Sequence, residues 1–320
     1  MPLTFDLPLE ELKEYKGCNP KPDDFDEYWI RGLDEMRSTD PCIEIIPADF
    51  HTNFADCFHL YFTGIRGARI HAKLLRPKQM TDSRPAVLMF HGYSHSSGVW
   101  YRKLGYVAQG FTVAALDCRG QGGLSEDVGG VKGGTFYGHI IRGLDGKPDD
   151  LLYRSIFLDT AQLAGILMDM PEVDQNRVGV TGDSQGGGLA LACAALEPRI
   201  KRLAPIFPFL CDYKRVWEID LAINAYAELR DYFRKFDPLH EREGAVFERL
   251  GYIDVQHLAE RIQGEVLMCV GLMDEICPPS TQFAAYNKIK SSKSKILYPD
   301  FGHEDLLDVE DKIFKFMTDL

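Results

Sequence analysis

The period of the apolar positions changes along the chain. In the first forty residues Phe25, Tyr28, Trp29 and Leu33 fall on one face of a helical repeat, and Pro22-Asp23-Asp24 just before them supply a start signal. This N-terminal helical arm, 1–40, is expected to pack against the main body. A run at Ile43–Ile46 follows. Then come two alternating runs, Cys57–Thr63 and Arg69–Leu75, with Gly64 and Gly67 between them, a pattern that predicts an antiparallel hairpin.

From residue 85 short apolar runs alternate with helical patterns. Ala86–Phe90 and Phe111–Leu116 read as strands buried on both faces, and Ile200–Phe207, Glu265–Val270 and Lys295–Tyr298 as further strands. Helical patterns cover Trp100–Gln109, ended by Gly110, and Leu151–Asp169, stopped by Pro171. Two more follow, one after Pro278-Pro279 and one from about Asp305. Such alternation implies an α/β fold with a doubly wound, mostly parallel sheet. The glycine-rich stretch 117–146 reads as a long surface loop, a length often tied to function. Between Phe207 and Glu265 lies a stretch dense in charges and aromatics, with helical patterns near Ala222–Phe236 and Asp254–Ile262. We read it as a helical cap insertion, about 208–263, over the carboxyl ends of the strands. The expectation is a single domain, 1–320, carrying the arm and the cap.

Composition narrows the function classes. A net charge of −12 leaves no basic surface for phosphates, so nucleic acid is not an expected partner. No apolar run approaches the roughly 18–20 residues that span a bilayer, and the start Met1-Pro-Leu-Thr carries no export signal. The eight cysteines form no Cys-x-x-Cys pair and several sit in apolar runs. Reduced thiols and a cytoplasmic location are therefore expected.

The chemistry centres on Val178-Gly-Val-Thr-Gly-Asp-Ser-Gln-Gly-Gly188. A β-branched run breaks at Gly182-Asp183-Ser184-Gln185-Gly186, and a small-residue helix pattern follows. This predicts a strand, a sharp turn and a helix with Ser184 at the apex, a nucleophile elbow for which Gly182 and Gly186 leave room. A serine needs a base, and the base an orienting acid. In chain order Asp274 follows the strand ending at Val270, and His303 follows the strand ending at Tyr298. Asp300 is the competing acid, but it lies too close to His303 in sequence to reach its Nδ1 without an unusual turn. The Gln185 N–H is one expected oxyanion donor, and the Tyr93 N–H, beside Gly92 in the loop after Phe90, is the other. Arg119 and Gln121, at another strand end, are expected to support the site by tying loops together, with substrate binding the alternative for Arg119. His91 and His95 have the spacing of helical metal ligands, but Gly92 stands where a metalloprotease has its glutamate, so no metal is expected.

Taken together, these stretches resemble the acetyl xylan esterase / cephalosporin-C deacetylase family of carbohydrate esterases, an α/β-hydrolase group. The resemblance runs from Pro8–Tyr15, Asn19–Pro22 and Asp24–Trp29 through Phe90-His-Gly-Tyr93 and Asp117–Gly123. It continues through the Ser184 elbow, Gly271–Asp274 and Gly302-His303-Glu304. It implies a serine esterase that removes acetyl groups from small acetylated sugars such as xylo-oligosaccharides and from cephalosporin C. It also implies the Ser184–Asp274–His303 triad, the Tyr93 and Gln185 donors, no metal or organic cofactor, and a homohexamer with sites facing an inner cavity. Asp183 departs from the pattern, where a small residue is expected. A broader carboxylesterase or thioesterase is the alternative activity, and a non-catalytic binding protein is the reading furthest from the motifs.

Overall fold

The computed structural model describes residues 5–78, 82–131 and 134–320; the first four residues and residues 132–133 of the glycine-rich stretch lie outside it. The arm forms α1 (Leu9–Leu12) and α2 (Phe25–Ser38). Strands β1 (Glu44–Pro47), β2 (Ala55–Thr63) and β3 (Arg69–Pro77) pair antiparallel, with Ala55 opposite Pro77 and Thr63 opposite Arg69. β4 (Arg84–Phe90), α3 (Leu104–Ala108), β5 (Thr112–Asp117), α4 (Leu152–Met168), β6 (Val173–Asp183), α5 (Gln185–Leu196) and β7 (Arg202–Ile206) then alternate. The insertion supplies α6 (Tyr213–Glu218), α7 (Ala227–Phe236), α8 (Glu243–Gly251) and α9 (Val255–Leu258). β8 (Glu265–Gly271), α10 (Pro279–Lys288), β9 (Lys293–Tyr298) and α11 (Val309–Thr318) close the chain.

Among the described residues nine strands join one sheet in the order β1-β2-β3-β5-β4-β6-β7-β8-β9, parallel from β5 to β9. Strand periodicity divides the apolar residues between two cores. Ala86, Leu88 and Phe90 of β4 join the core of α4 and α5, while Val87 joins the core of α3 and α11. β8 divides the same way, Val266, Met268 and Val270 on one face and Cys269 on the other. Burial on both faces explains why these strands read as unbroken apolar runs.

The arm is fastened to the cap and α10 by polar contacts between distant parts of the chain. Asp212, buried at the start of α6, accepts the N–H groups of Cys18 at 3.1 and 3.2 Å and of Asn19 at 2.8 Å, and the Tyr15 hydroxyl at 2.8 Å. Asn287 of α10 donates to the carbonyls of Leu12 and Tyr15 at 2.8 and 2.7 Å. The Trp29 indole donates to the Tyr252 carbonyl at 3.1 Å.

Three details differ from the expectations. The cap contains α6 and α8 besides the predicted helical stretches. The last helix begins at Val309, because Asp308 takes a left-handed conformation at φ 60°. The glycine-rich stretch is not wholly a surface loop: Gln121, Ser125, His139 and Ile140 are buried. Burial is tolerable there because carboxylates meet its backbone amides. Asp117 accepts the Leu124 N–H, and Glu228 accepts those of His139, Ile140 and Ile141.

Candidate active site

The turn from β6 into α5 forces Ser184 to φ 53°, ψ −116°, a strained backbone for a non-glycine residue. Three contacts hold it: the Ser184 N–H donates to the Ile206 carbonyl at 3.0 Å, and the Ser184 carbonyl accepts the Phe209 and Gly188 N–H groups at 2.9 and 3.1 Å. Neighbouring glycines are required by close approach. A Cβ on Gly186 would lie 2.2 Å from the Phe90 carbonyl oxygen, and one on Gly182 would lie 2.6 Å from the Gly186 backbone. The elbow is thus wedged against β4 and β7.

Asp274 and His303 come from the turns after β8 and β9. His303 Nε2 lies 3.1 Å from Ser184 Oγ, and His303 Nδ1 lies 2.8 Å from Asp274 Oδ2. The other oxygen of Asp274 accepts the Ile276 and Cys277 N–H groups at 2.9 and 2.7 Å. Asp274 is fully buried, and the Phe207 ring packs 4.5 Å from the imidazole. With Asp274 accepting at Nδ1–H, the Nε2 lone pair faces the serine hydroxyl, the arrangement a general base needs. Asp300 is exposed and makes no contact with His303 among the described residues. Cys277 adds a thiol to this cluster, whose three ligand-type atoms lie within 4.8 Å of one another. Both oxygens of Asp274 are already occupied, however, so the donor set is arranged to orient His303 rather than to hold an ion.

Tyr93 stands in the loop after β4 and Gln185 is the first residue of α5, and neither backbone N–H has a partner among the described residues. Both are free to meet an oxygen. The Gln185 side chain points the other way. Its Oε1 accepts from the Tyr153 hydroxyl at 2.7 Å and from Gln121 Nε2 at 2.8 Å, and its Nε2 donates to the His91 carbonyl at 3.3 Å. Gln121 Oε1 also accepts the Ser94 N–H at 2.9 Å, so it ties the Tyr93 loop to α5.

Arg119 is fully buried, with its guanidinium bidentate on Asp159 of α4 at 2.7 and 2.6 Å and donating to the Ile65 carbonyl at 3.2 Å. It braces the end of β5 and is remote from solvent. His91 is also a brace: its Nε2 accepts the Cys118 N–H at 3.0 Å, its Nδ1 lies 2.8 Å from the Gly92 carbonyl, and burial lowers its pKa. Asp183 lies 3.5 Å from where a Gly92 side chain would begin. Water reaches its carboxylate, yet crowding by protein raises its pKa, opposed by the nearby His303 and His95.

Two buried carboxylates have partners that the sequence did not name. Asp117 accepts from His71 Nδ1 at 2.6 Å and from the Ser97 N–H at 2.5 Å, and is held far below the usual carboxylate range: burial is the largest single effect and opposes its charge, but His71 and the Ser97 and Leu124 amides together outweigh it. Glu228 of the cap accepts the Tyr93 hydroxyl. Each depends on a partner more than twenty residues away, which no local pattern reports.

Comparison with known proteins identifies the family. A model of the acetyl xylan esterase family matches residues 1–320. Acetyl xylan esterase 1 from Thermoanaerobacterium sp. JW/SL YS485 has a similar structure, with 63% identity and a TM-score of 0.95, over 98% of this chain and 99% of that one. The acetyl xylan esterase from Paenibacillus sp. R4 shares 34% identity at a TM-score of 0.91, over 97% and 99% of the two chains. Acetyl esterase Axe7A of Xylanibacter ruminicola is 27% identical over 304 residues, 92% of this chain. The match spans 65% of that relative's length.

Proposed function

Because the chain belongs to the acetyl xylan esterase family, carboxylic ester hydrolases of α/β-hydrolase fold, we propose that it removes acetyl groups from acetylated xylan and xylo-oligosaccharides through an acetyl-Ser184 intermediate. The observation that carries the mechanism is the line from Ser184 Oγ to His303 Nε2 at 3.1 Å and from His303 Nδ1 to Asp274 Oδ2 at 2.8 Å. His303 takes the serine proton as Oγ attacks the acetyl carbonyl, and Asp274 stabilises the imidazolium. The developing oxyanion is met by the Tyr93 and Gln185 N–H groups. His303 then protonates the leaving sugar hydroxyl, and water, activated by the same imidazole, releases acetate.

Cephalosporin C, whose 3′-acetyl ester offers the same bond, belongs to the proposed substrate range. A homohexamer is the proposed assembly; Leu239, Tyr101 and Phe136, 78%, 75% and 73% exposed, are apolar surface of the kind that subunit contacts cover. The eight free thiols favour a reducing, cytoplasmic location. We treat the chain as one domain with the arm and cap as parts of it.

The test is hydrolysis of acetylated xylo-oligosaccharides, cephalosporin C and a p-nitrophenyl ester series, with Ser184→Ala as control. Acetyl specificity is expected, and loss of at least 1,000-fold in Ser184→Ala. Equal rates on acetyl and octanoyl esters would turn the reading to a general carboxylesterase. Near wild-type hydrolysis by Ser184→Ala would end the triad assignment. Light scattering at the 36.2 kDa monomer mass, rather than six times it, would overturn the hexamer.

A further inference from the structure

Glu228 is fully buried in the first turn of α7, where a carboxylate away from water is costly unless every lone pair is met. Four donors meet it. One oxygen accepts the Tyr93 hydroxyl and the His139 N–H at 3.2 Å, and the other accepts the Ile140 and Ile141 N–H groups at 2.8 and 3.1 Å. The donors come from two segments, the loop after β4 and the stretch before α4, and the acceptor from a third, the cap.

Tyr93 is the residue whose unpartnered backbone N–H is the second oxyanion donor in this reading, so its side chain acts on that N–H as a lever. The ring is gripped edge-on by His139 at 4.9 Å and by Phe209 at 5.8 Å, and its hydroxyl ends on Glu228. On the other side the next peptide is held by the Ser94 N–H bond to Gln121. The Tyr93 side chain is therefore held from the cap and the peptide that follows it from Gln121.

We propose that Glu228 is a positioning residue for the oxyanion hole: through the Tyr93 hydroxyl, the cap sets the aim of the Tyr93 N–H at the developing negative charge. This rests on the esterase reading above and deepens it. The cap is then part of the catalytic geometry. Glu228 touches no reacting atom, so its effect belongs in kcat and not in ground-state binding.

The experiment compares wild type, Glu228→Gln, Tyr93→Phe and the double variant on p-nitrophenyl acetate, with Ser184→Ala alongside. Tyr93→Phe keeps the backbone N–H and removes only the lever's end. A perfectly placed oxyanion donor is worth about 100–1,000-fold, and a misaimed one loses part of that. Each single variant is expected to lose about 10-fold or more in kcat, with KM within about 3-fold. Because both act through one bond, the double variant is expected to be no slower than the slower single. Additive losses, losses confined to KM, or a lowered melting temperature with kcat within twofold of wild type would each overturn the proposal. If Glu228→Gln fails to fold, a wild-type kcat in Tyr93→Phe alone overturns it and a lowered one upholds it. Failure of the underlying reading looks different: Ser184→Ala would stay active whatever Glu228 and Tyr93 do.

Discussion

At the scale of single residues, the site depends on which atom of an imidazole holds the proton. Asp274 accepts with both oxygens, from two backbone amides on one side and from His303 on the other. In Asp274→Asn the amides keep the carboxamide oxygen, so the new NH2 must face His303 Nδ1. That contact forces the proton onto Nε2, where it points at Ser184 and blocks proton abstraction. We expect a loss of about 10,000-fold in kcat with little change in melting temperature, read from ester kinetics and a thermal scan. Ser184, Asp274 and His303 were legible in the sequence because a motif and a chain order name them. The surroundings of Asp183 were not, because Gly92 reaches it only after folding.

At the scale of elements, α7 carries a group that titrates with folding. Burial raises the Glu228 carboxyl from 4.5 to about 7, against the four donors that favour its charge, and no cation is among its contacts in the described residues. The groups facing it are the Tyr93 hydroxyl and the neutral His139, whose own pKa burial lowers to about 4. Since the folded value lies above the unfolded one, the protonated form favours folding, and that stability is lost as pH rises through about 7. Wild type is expected to lose about 3 kcal/mol relative to Glu228→Gln between pH 4.5 and pH 7.5, measured by urea unfolding at both ends. A constant difference between the two proteins would rule out the titration. The parallel strands were legible as unbroken apolar runs, and α4 by an apolar face repeated over 17 residues. α6 and α8 were not. α6 has six residues and starts at the left-handed Asp212, and α8 contains Gly244 and ends at Gly251. What stabilises them is tertiary, the Trp217 ring against Phe233 at 4.7 Å and Phe247 at 6.3 Å.

At the scale of the molecule, α/β alternation predicted a parallel sheet but not that β5 would lie between β3 and β4, since strand order depends on crossovers that leave no periodic trace. Thiol accessibility offers a global check. All eight cysteines are free, Cys42 is exposed and Cys18 half-exposed, and the other six are buried. A thiol reagent should label at most Cys42 and Cys18 quickly in the native protein and all eight in urea, and reductant should leave the melting temperature unchanged. Rapid native labelling beyond two thiols would show that the cores are not closed as described.

The clamp between the arm and the rest of the chain has a consequence for biosynthesis. Asn287 and the Leu12 carbonyl it binds are 275 residues apart. At about 5–20 residues per second, a ribosome separates their appearance by roughly 15–55 s. The Leu12 segment therefore leaves the exit tunnel long before the residue that holds it. Likewise the amphipathic face of α2 is an apolar stripe until Phe157, Tyr252 and His257 arrive to meet Trp29, Tyr28 and Phe25, and the nascent chain must be kept from aggregating over that shorter interval.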